Sequence, residues 1–562
     1  MVEIGRMTPN AAPSATPQLT RARDGLRALS GAALAVAAFC ALPMLAVLIA
    51  ALSGGTETVQ HLIDTVLGRY TVTTLLLVLL VSIGTFSIGV GAAWLVTMTR
   101  FPGAKVLEIA LVLPLAFPAY VLAYAYTHVL DHPGVVQATL RDVTGWGPRD
   151  YWFPEIRSLG GAAAMLVLVL YPYVYLLARA AFLQQSGTTF LAARALGASA
   201  WAAFFKVSLP LARPAIAGGV LLAVMETIAD FGTVAYFGVQ TFATGIYTSW
   251  FSMFDRAAAA QLALCLLSFA LLLAMLERAQ RGKAKYHDPA RRTQSAPPSE
   301  LKGVHAAAAI VLCGVPVLFG AVLPVVILVT MGLESEQNLF SPRYLGFMRN
   351  SVTLAGIAAV LTVLAAISVG FFRRLRPGRL SQSAAYVARL GYAVPGGVIA
   401  VGLLVPFAAF DNALDAWMRA TFDISTGLLI TGSIWLLVLA YLVRFLAAAL
   451  GAYEGGQAMV HANMDAAARS LGQTPLGTLR RVHLPILAPS LLTALLIVFV
   501  DVMKELPATL IMRPFNYDTL AVQAYRLASD ERLNGAAVPS LVIVAMGLLP
   551  VILICRQVGR QR

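Results

Sequence analysis

Ala192-Ala193-Arg194-Ala195-Leu196-Gly197, followed by Leu209-Pro210 and Pro214, returns later in the chain as Ala467-Ala468-Arg469-Ser470-Leu471-Gly472, Leu484-Pro485 and Pro489. Every matched pair, Val207 and Val482 included, is separated by the same interval, the one that runs from Gly197 to Gly472. One interval held across these identities marks a duplicated unit. Each copy reads as a short helix with small residues on one face, closed by glycine at the usual C-terminal position. Leu-Pro then opens the next helix, where proline is tolerated in the first turn. Small residues let another protein's surface come close to the backbone, so both stretches are candidate docking elements. The alternative is an ordinary loop between two spans.

The chain on either side is strongly apolar. Its 562 residues are 59% hydrophobic and 12% charged, with a mean hydropathy of +0.77. A soluble domain is nearer half apolar and a quarter charged. A membrane-spanning helix needs roughly 20 mainly apolar residues, and about 12 stretches supply them. They are 28–52, 72–98, 106–129, 159–178, 214–235, 257–277, 304–331, 350–372, 390–408, 427–450, 488–512 and 536–555. Runs such as Leu75–Val81 and Ala162–Leu170 lack the alternation of a barrel strand. The expected fold is therefore an all-α polytopic membrane protein, with about twelve transmembrane helices in two tandem six-helix halves.

The layout follows from the spans and charges. Residues 1–27 read as a cytoplasmic tail, 28–277 as the first half and 278–303 as a basic, Pro- and Ser-containing cytoplasmic linker. Residues 304–555 read as the second half and 556–562 as a second cytoplasmic tail. The repeated stretches fall near 184–213 and 451–487, on the same side as both tails. Six spans per half is an even number, so both halves enter from one side and the repeat is parallel. With the N-terminus cytoplasmic, most of the 41 Lys and Arg lie on the cytoplasmic side, as the positive-inside rule requires. The formal charge of +14 then reflects topology. No basic patch is interleaved with exposed aromatics, which argues against nucleic-acid binding; the expected surroundings are membrane lipid.

Four acids interrupt the apolar pattern. Glu226 and Asp230 lie in the fifth span, Asp501 and Glu505 in the eleventh, and the two pairs are separated by the interval of the repeated stretches. Within each pair the i, i+4 spacing puts both carboxylates on one helix face. A charge at mid-membrane costs about 2.5–3.5 kcal/mol, so the four need water, a partner or a substrate. Lys504 adjoins one pair. One reading is that the two faces meet and line a cation pathway of Glu226, Asp230, Asp501, Lys504 and Glu505; the other is structural pairing. Carboxylates suit a hard cation, but no firm metal site is assigned. Cys40, Cys265, Cys313 and Cys555 form no CxxC and read as packing residues. His128 and His132, flanking Asp131, read as a helix end. No nucleophile–base constellation occurs, so no enzymatic chemistry is expected.

The repeated stretch resembles the EAA loop of ABC-importer permeases. The signature glutamate is absent: Leu191 and Ala466 stand in its place, with Asp465 one position earlier in the second copy. The segments Asp501–Leu510, Arg513–Ala521 and Tyr525–Glu531 resemble the second half of fused iron(III) permeases, and Ala229–Gly238 resembles the matching region of their first half. Fused thiamine and aminophosphonate permeases look similar. The resemblance implies a transport subunit of a bacterial inner membrane, with both termini cytoplasmic. It implies two copies of a separate ATPase docking on Ala192, Ala193, Arg194, Gly197, Leu209, Pro210 and Ala467, Ala468, Arg469, Gly472, Leu484, Pro485. A periplasmic binding protein would deliver the substrate, ferric iron by this resemblance. This chain would bind no cofactor, and ATP would be used by the partner; no G-x-x-x-x-G-K-[ST] phosphate loop occurs in it. The alternatives are a permease for thiamine, a phosphonate or a polyamine, and an ion-coupled secondary transporter in which the four acids bind protons or sodium.

Overall fold

Backbone polar groups in a bilayer have no water to turn to, so a spanning chain must be helical or a closed barrel. The computed structural model describes residues 17–185, 195–197, 199–283, 299–338 and 340–560, and these are almost wholly helical. Eleven of the described helices are long and apolar enough to cross a membrane, or twelve if the bent pair Ala104–Ala116 and Ala119–Thr144 counts as one span. Residues 1–16 of the expected tail and 284–298 of the expected linker lie outside the described part.

The bent pair is where the expected span 106–129 departs from a single rod, its two pieces meeting at 94°. Pro114 and Pro118 flank the bend and supply no backbone N–H. Phe117, held before Pro118, is extended, with ψ 132°, as the residue before proline prefers. The second half repeats the device. The helix Arg379–Ala393 ends at Val394, ψ 119°, and Pro395 caps the helix Gly396–Phe422. The expected span 390–408 therefore straddles a break, and its helix runs on to Phe422.

The duplication is also written in the backbone. Phe204–Ser208 and Leu479–His483 each form a single π-helical turn directly before Leu-Pro, in matching places of the two copies. The two halves are not side-by-side bodies. The N-terminal helix Pro17–Ser53 packs on Pro342–Leu375, Arg379–Ala393 and Gly396–Phe422 of the second half. Reciprocally, the first helices of the second half, within Val304–Leu333, lie on first-half elements, and Tyr126 donates to the Phe319 carbonyl at 2.5 Å. Each half thus lends its first helix to the other. The start of the second half is also tied back by a two-residue parallel ladder, Thr99–Arg100 with Ser299–Glu300.

Inside the first half, Glu108 and Arg179 form a buried ion pair. Arg179 Nε and a terminal nitrogen both reach Glu108 Oε1, at 2.9 and 2.6 Å, with both side chains almost fully covered. Breaking one side of such a pair strands the other charge, at a cost of about 3–5 kcal/mol. Glu108→Gln is therefore expected to lower the melting midpoint of the detergent-purified protein by several degrees and to cut its yield; an unchanged midpoint would show that the pair is dispensable.

Candidate functional site

The fifth and eleventh spans do not run through. Leu209–Ala229 stops and restarts as Gly232–Tyr236; Leu484–Met503 stops and restarts as Pro507–Met512. Each restart exposes helix N-terminal N–H groups that need acceptors. Asp230 supplies them in the first half: its carboxylate accepts from Thr233 N (3.1 Å), Val234 N (3.2 Å) and Thr233 Oγ1 (3.0 Å). Glu505 does so in the second, accepting from Ala508 N (2.9 Å), Thr509 N (3.0 Å) and Thr509 Oγ1 (2.6 Å). Tyr441 shares the Thr509 hydroxyl at 2.6 Å.

The i, i+4 reading of these acids assumed continuous helices. The breaks turn Asp230 and Glu505 onto the new helix starts, while Glu226 and Asp501 stay on the long helices before them. Glu226 Oε1 accepts from the Tyr392 hydroxyl at 2.8 Å, and Asp501 pairs with Lys504 at 2.9 Å. The five residues nonetheless share one small cavity of about 130 Å³, together with Tyr120, Tyr173, Tyr392 and Arg444. The two breaks touch: Gly232 lies so close to Leu506 and Tyr120 that a Cβ there would meet each at 2.9 Å.

Arg444 and the tyrosines escaped the sequence reading. A lone arginine inside the apolar stretch 427–450 was the available signal. Arg444 sits on Ile434–Gln457, and both it and Glu505 crowd Gly396, where a Cβ would come within 2.8 Å of the guanidinium and 2.7 Å of Glu505 Oε1. Four acidic side chains thus share the layer with two basic ones, Lys504 and Arg444.

Next to this layer, sharing Tyr173, Tyr392, Asp501 and Lys504 with it, lies a cavity of about 1090 Å³. Its lining reaches Arg373, Arg389 and Glu454, of which Glu454 lies near the end of Ile434–Gln457, the helix that leads to the second repeated stretch. Arg389 and Arg373 both pair with Glu454 there.

Of the repeated stretches, Ala192, Ala193 and Arg194 lie outside the described residues. Gly197 has φ 87° and Gly472 φ 74°, a left-handed conformation that glycine adopts at no steric cost. The second stretch is the helix Ala462–Ser470, which carries Ala467, Ala468 and Arg469. Leu209-Pro210 and Leu484-Pro485 open Leu209–Ala229 and Leu484–Met503. Asp465 turns inward, its carboxylate joining Arg374 Nε at 2.7 Å and His483 Nε2 at 2.6 Å. Burial pushes this carboxyl up, but the bonds from His483 and Arg374 outweigh it and hold it below its ordinary range.

At the other ends of the helices, Arg157 makes a two-pronged bond to Glu531 (2.6 and 2.8 Å) and a third to Asp131 (3.0 Å). Its guanidinium lies over the Tyr236 ring, 5.1 Å from the centroid. The Arg157 bond holds Glu531 below the usual carboxylate range, so the pair persists at neutral pH and weakens only as pH falls through that lowered value.

Residues 85–283 match the family described as binding-protein-dependent transport system inner membrane component. An Fe(3+)-transport system permease protein of Haemophilus influenzae is 27% identical over 527 residues, covering 91% of this chain and 95% of that protein. A ferric transport system permease protein of Actinobacillus pleuropneumoniae is 24% identical over 487 residues, covering 83% of this chain and 68% of its own. A molybdenum transport system permease protein of Escherichia coli is 29% identical over 197 residues, 34% of this chain and 81% of its own.

The geometry separates the four acids by experiment. Glu505→Ala leaves the buried N–H groups of Ala508 and Thr509 without acceptors, at about 1–3 kcal/mol, and is expected to lower the melting midpoint clearly. Glu226→Gln keeps the bond to Tyr392 and is expected to leave the midpoint nearly unchanged. Equal midpoints for the two variants would refute this division.

Proposed function

We propose that this chain, an inner-membrane permease of the binding-protein-dependent transport type, moves ferric iron across a bacterial inner membrane by alternating access. The likeness over 527 residues to a permease named for Fe(3+) transport is the observation that carries this reading. The chemistry of the ionic layer agrees with it. Carboxylate and phenol oxygens suit a hard, highly charged cation, whereas an oxyanion would meet four acidic side chains against two basic ones. The chain is a transport subunit, and the chemical work belongs to a partner: two copies of a cytoplasmic ATPase dock on the segments around Gly197 and Gly472. A periplasmic binding protein delivers the ion to the opposite face.

In this reading both termini and the linker 278–303 are cytoplasmic, and the halves are 28–277 and 304–555. The larger cavity, reaching Arg373, Arg389 and Glu454, is then the inward vestibule. Closing of the ATPase dimer draws Ala192–Gly197 and Ala467–Gly472 together, with Leu209-Pro210 and Leu484-Pro485 passing the displacement into the two broken spans. The vestibule closes and the outer side parts. An incoming cation exchanges its carrier's ligands for Glu226 and Asp501, the two carboxylates not committed to capping. Asp230, Glu505 and Lys504 shape the same passage from its walls.

Radiolabelled ferric iron in proteoliposomes holding the chain, its ATPase and its binding protein tests this. ATP-dependent accumulation is expected, and it should fall at least about tenfold in Glu226→Gln/Asp501→Asn while the ATPase still co-purifies. Absence of iron uptake, with ATP hydrolysis stimulated by a binding protein loaded with molybdate or thiamine, would discard iron and keep the permease.

Outward opening must also break the Arg157–Glu531 bridge between the halves. Glu531 is well exposed, and such pairs contribute about 0–1 kcal/mol. Arg157→Gln is expected to raise ATP hydrolysis without binding protein by up to about fivefold. A lower rate would show that the bridge serves the outward state instead.

A further inference from the structure

The second coupling segment is held by charged side chains of its own half. In the second half, the helix Pro342–Leu375 ends in a grip on both sides of the segment. Arg374 donates to Asp465 at 2.7 Å, to the Val460 carbonyl at 2.7 Å and, more loosely, to the carbonyls of His461 (3.3 Å) and Gln457 (3.4 Å). One turn earlier on the same helix, Phe371 holds the His483 ring edge-on at 5.0 Å. His483 is wholly buried, and its Nε2 meets the second oxygen of Asp465 at 2.6 Å. The ionised carboxylate only accepts, so this nitrogen carries the proton. Asp465 therefore closes a ring that joins the incoming chain at 457–461, the helix Ala462–Ser470, the π-turn Leu479–His483 and the end of Pro342–Leu375.

The first half carries none of these charges. The interval of the repeat, which also pairs Pro102-Gly103 with Pro377-Gly378, sets Thr99 in the place of Arg374, Phe190 in that of Asp465 and Ser208 in that of His483. Thr99 spends its hydroxyl on the Leu95 carbonyl of its own helix, at 2.6 Å. Duplication thus kept the repeat in both segments, while the residues of this charged clamp occur at the matched positions of the second only.

We propose that Arg374 and Asp465 are positioning residues for energy coupling, which hold the second segment rigidly on the Pro342–Leu375 span. Two consequences follow from the geometry. Asp465 does not replace the missing signature glutamate at the docking surface, because both its oxygens face inward. The ATPase stroke also reaches the second half as a rigid displacement of three elements together. The inference rests on the docking reading above, and its test keeps the two apart.

Three readouts on the reconstituted transporter decide it: ATPase retention on purification, ATP hydrolysed per iron ion delivered, and amide hydrogen exchange over 462–470. In Asp465→Asn the ATPase is expected to remain bound and hydrolysis to continue. Exchange over 462–470 should rise about tenfold with loss of the charged bonds, and ATP used per ion should rise about as much. Asp465→Glu, which keeps the charge, should recover most of the coupling, which a packing defect would not allow. Arg374→Gln should repeat the asparagine phenotype and serves if that variant folds poorly. Coupling within about twofold of the unaltered protein, or exchange over 462–470 unchanged, would overturn the proposal. If the unaltered chain fails to hold the ATPase, the docking reading falls; hydrogen exchange on the chain alone then still decides whether the clamp orders 462–470.

Discussion

A broken helix inside a membrane has to find acceptors for its exposed N–H groups, and that requirement organises the centre of this protein. No water is at hand, and each unsatisfied group costs several kcal/mol. Asp230 and Glu505 answer it from just before each restart, each taking three hydrogen bonds. The bonds do two things together. They offset the burial of a carboxylate, and they fix the direction in which Gly232–Tyr236 and Pro507–Met512 leave the spans. With both breaks held, Gly232 can lie against Leu506, and the halves meet around one small cavity. Irregular backbone at membrane depth is tolerated where it lines a cavity, and both breaks line the same one.

Much of the architecture was legible because it depends on patterns that survive duplication. The constant interval between matched residues predicted two halves, and it reappears in the π-turns, the capping acids and the left-handed glycines at 197 and 472. Composition predicted the helical class, since nothing but a helix or barrel satisfies an apolar chain in lipid. The interruptions were harder to read. Pro507 stands at the restart after one break, yet its counterpart after Ala229 has no proline, and the helix simply stops where Asp230 can cap the next one. The i, i+4 argument for four carboxylates on shared faces held only up to those stops. Arg444 and Tyr392 were missed for another reason: their partners lie far away in the chain, Glu226 being 166 residues from Tyr392, and no local spacing encodes such a pair.

The exchange of first helices explains why the halves function together although each carries a complete repeat. Pro17–Ser53 packs on three helices of the second half, so neither half can shed the other without exposing a packed face.

The strength of the ties at the two faces is unequal, and the inequality has a direction. Between the halves, the bridge at Arg157 is exposed to solvent through Glu531, and screened pairs of this kind contribute little. Within the second half, the ring consists of three side chains, Arg374, Asp465 and the fully buried His483, bonded to one another and to backbone. A machine that must part its halves needs contacts between them that open for little energy, and joints within each half that do not yield. On the proposed mechanism, the exposed bridge is a contact that opens and the ring is a joint that transmits force.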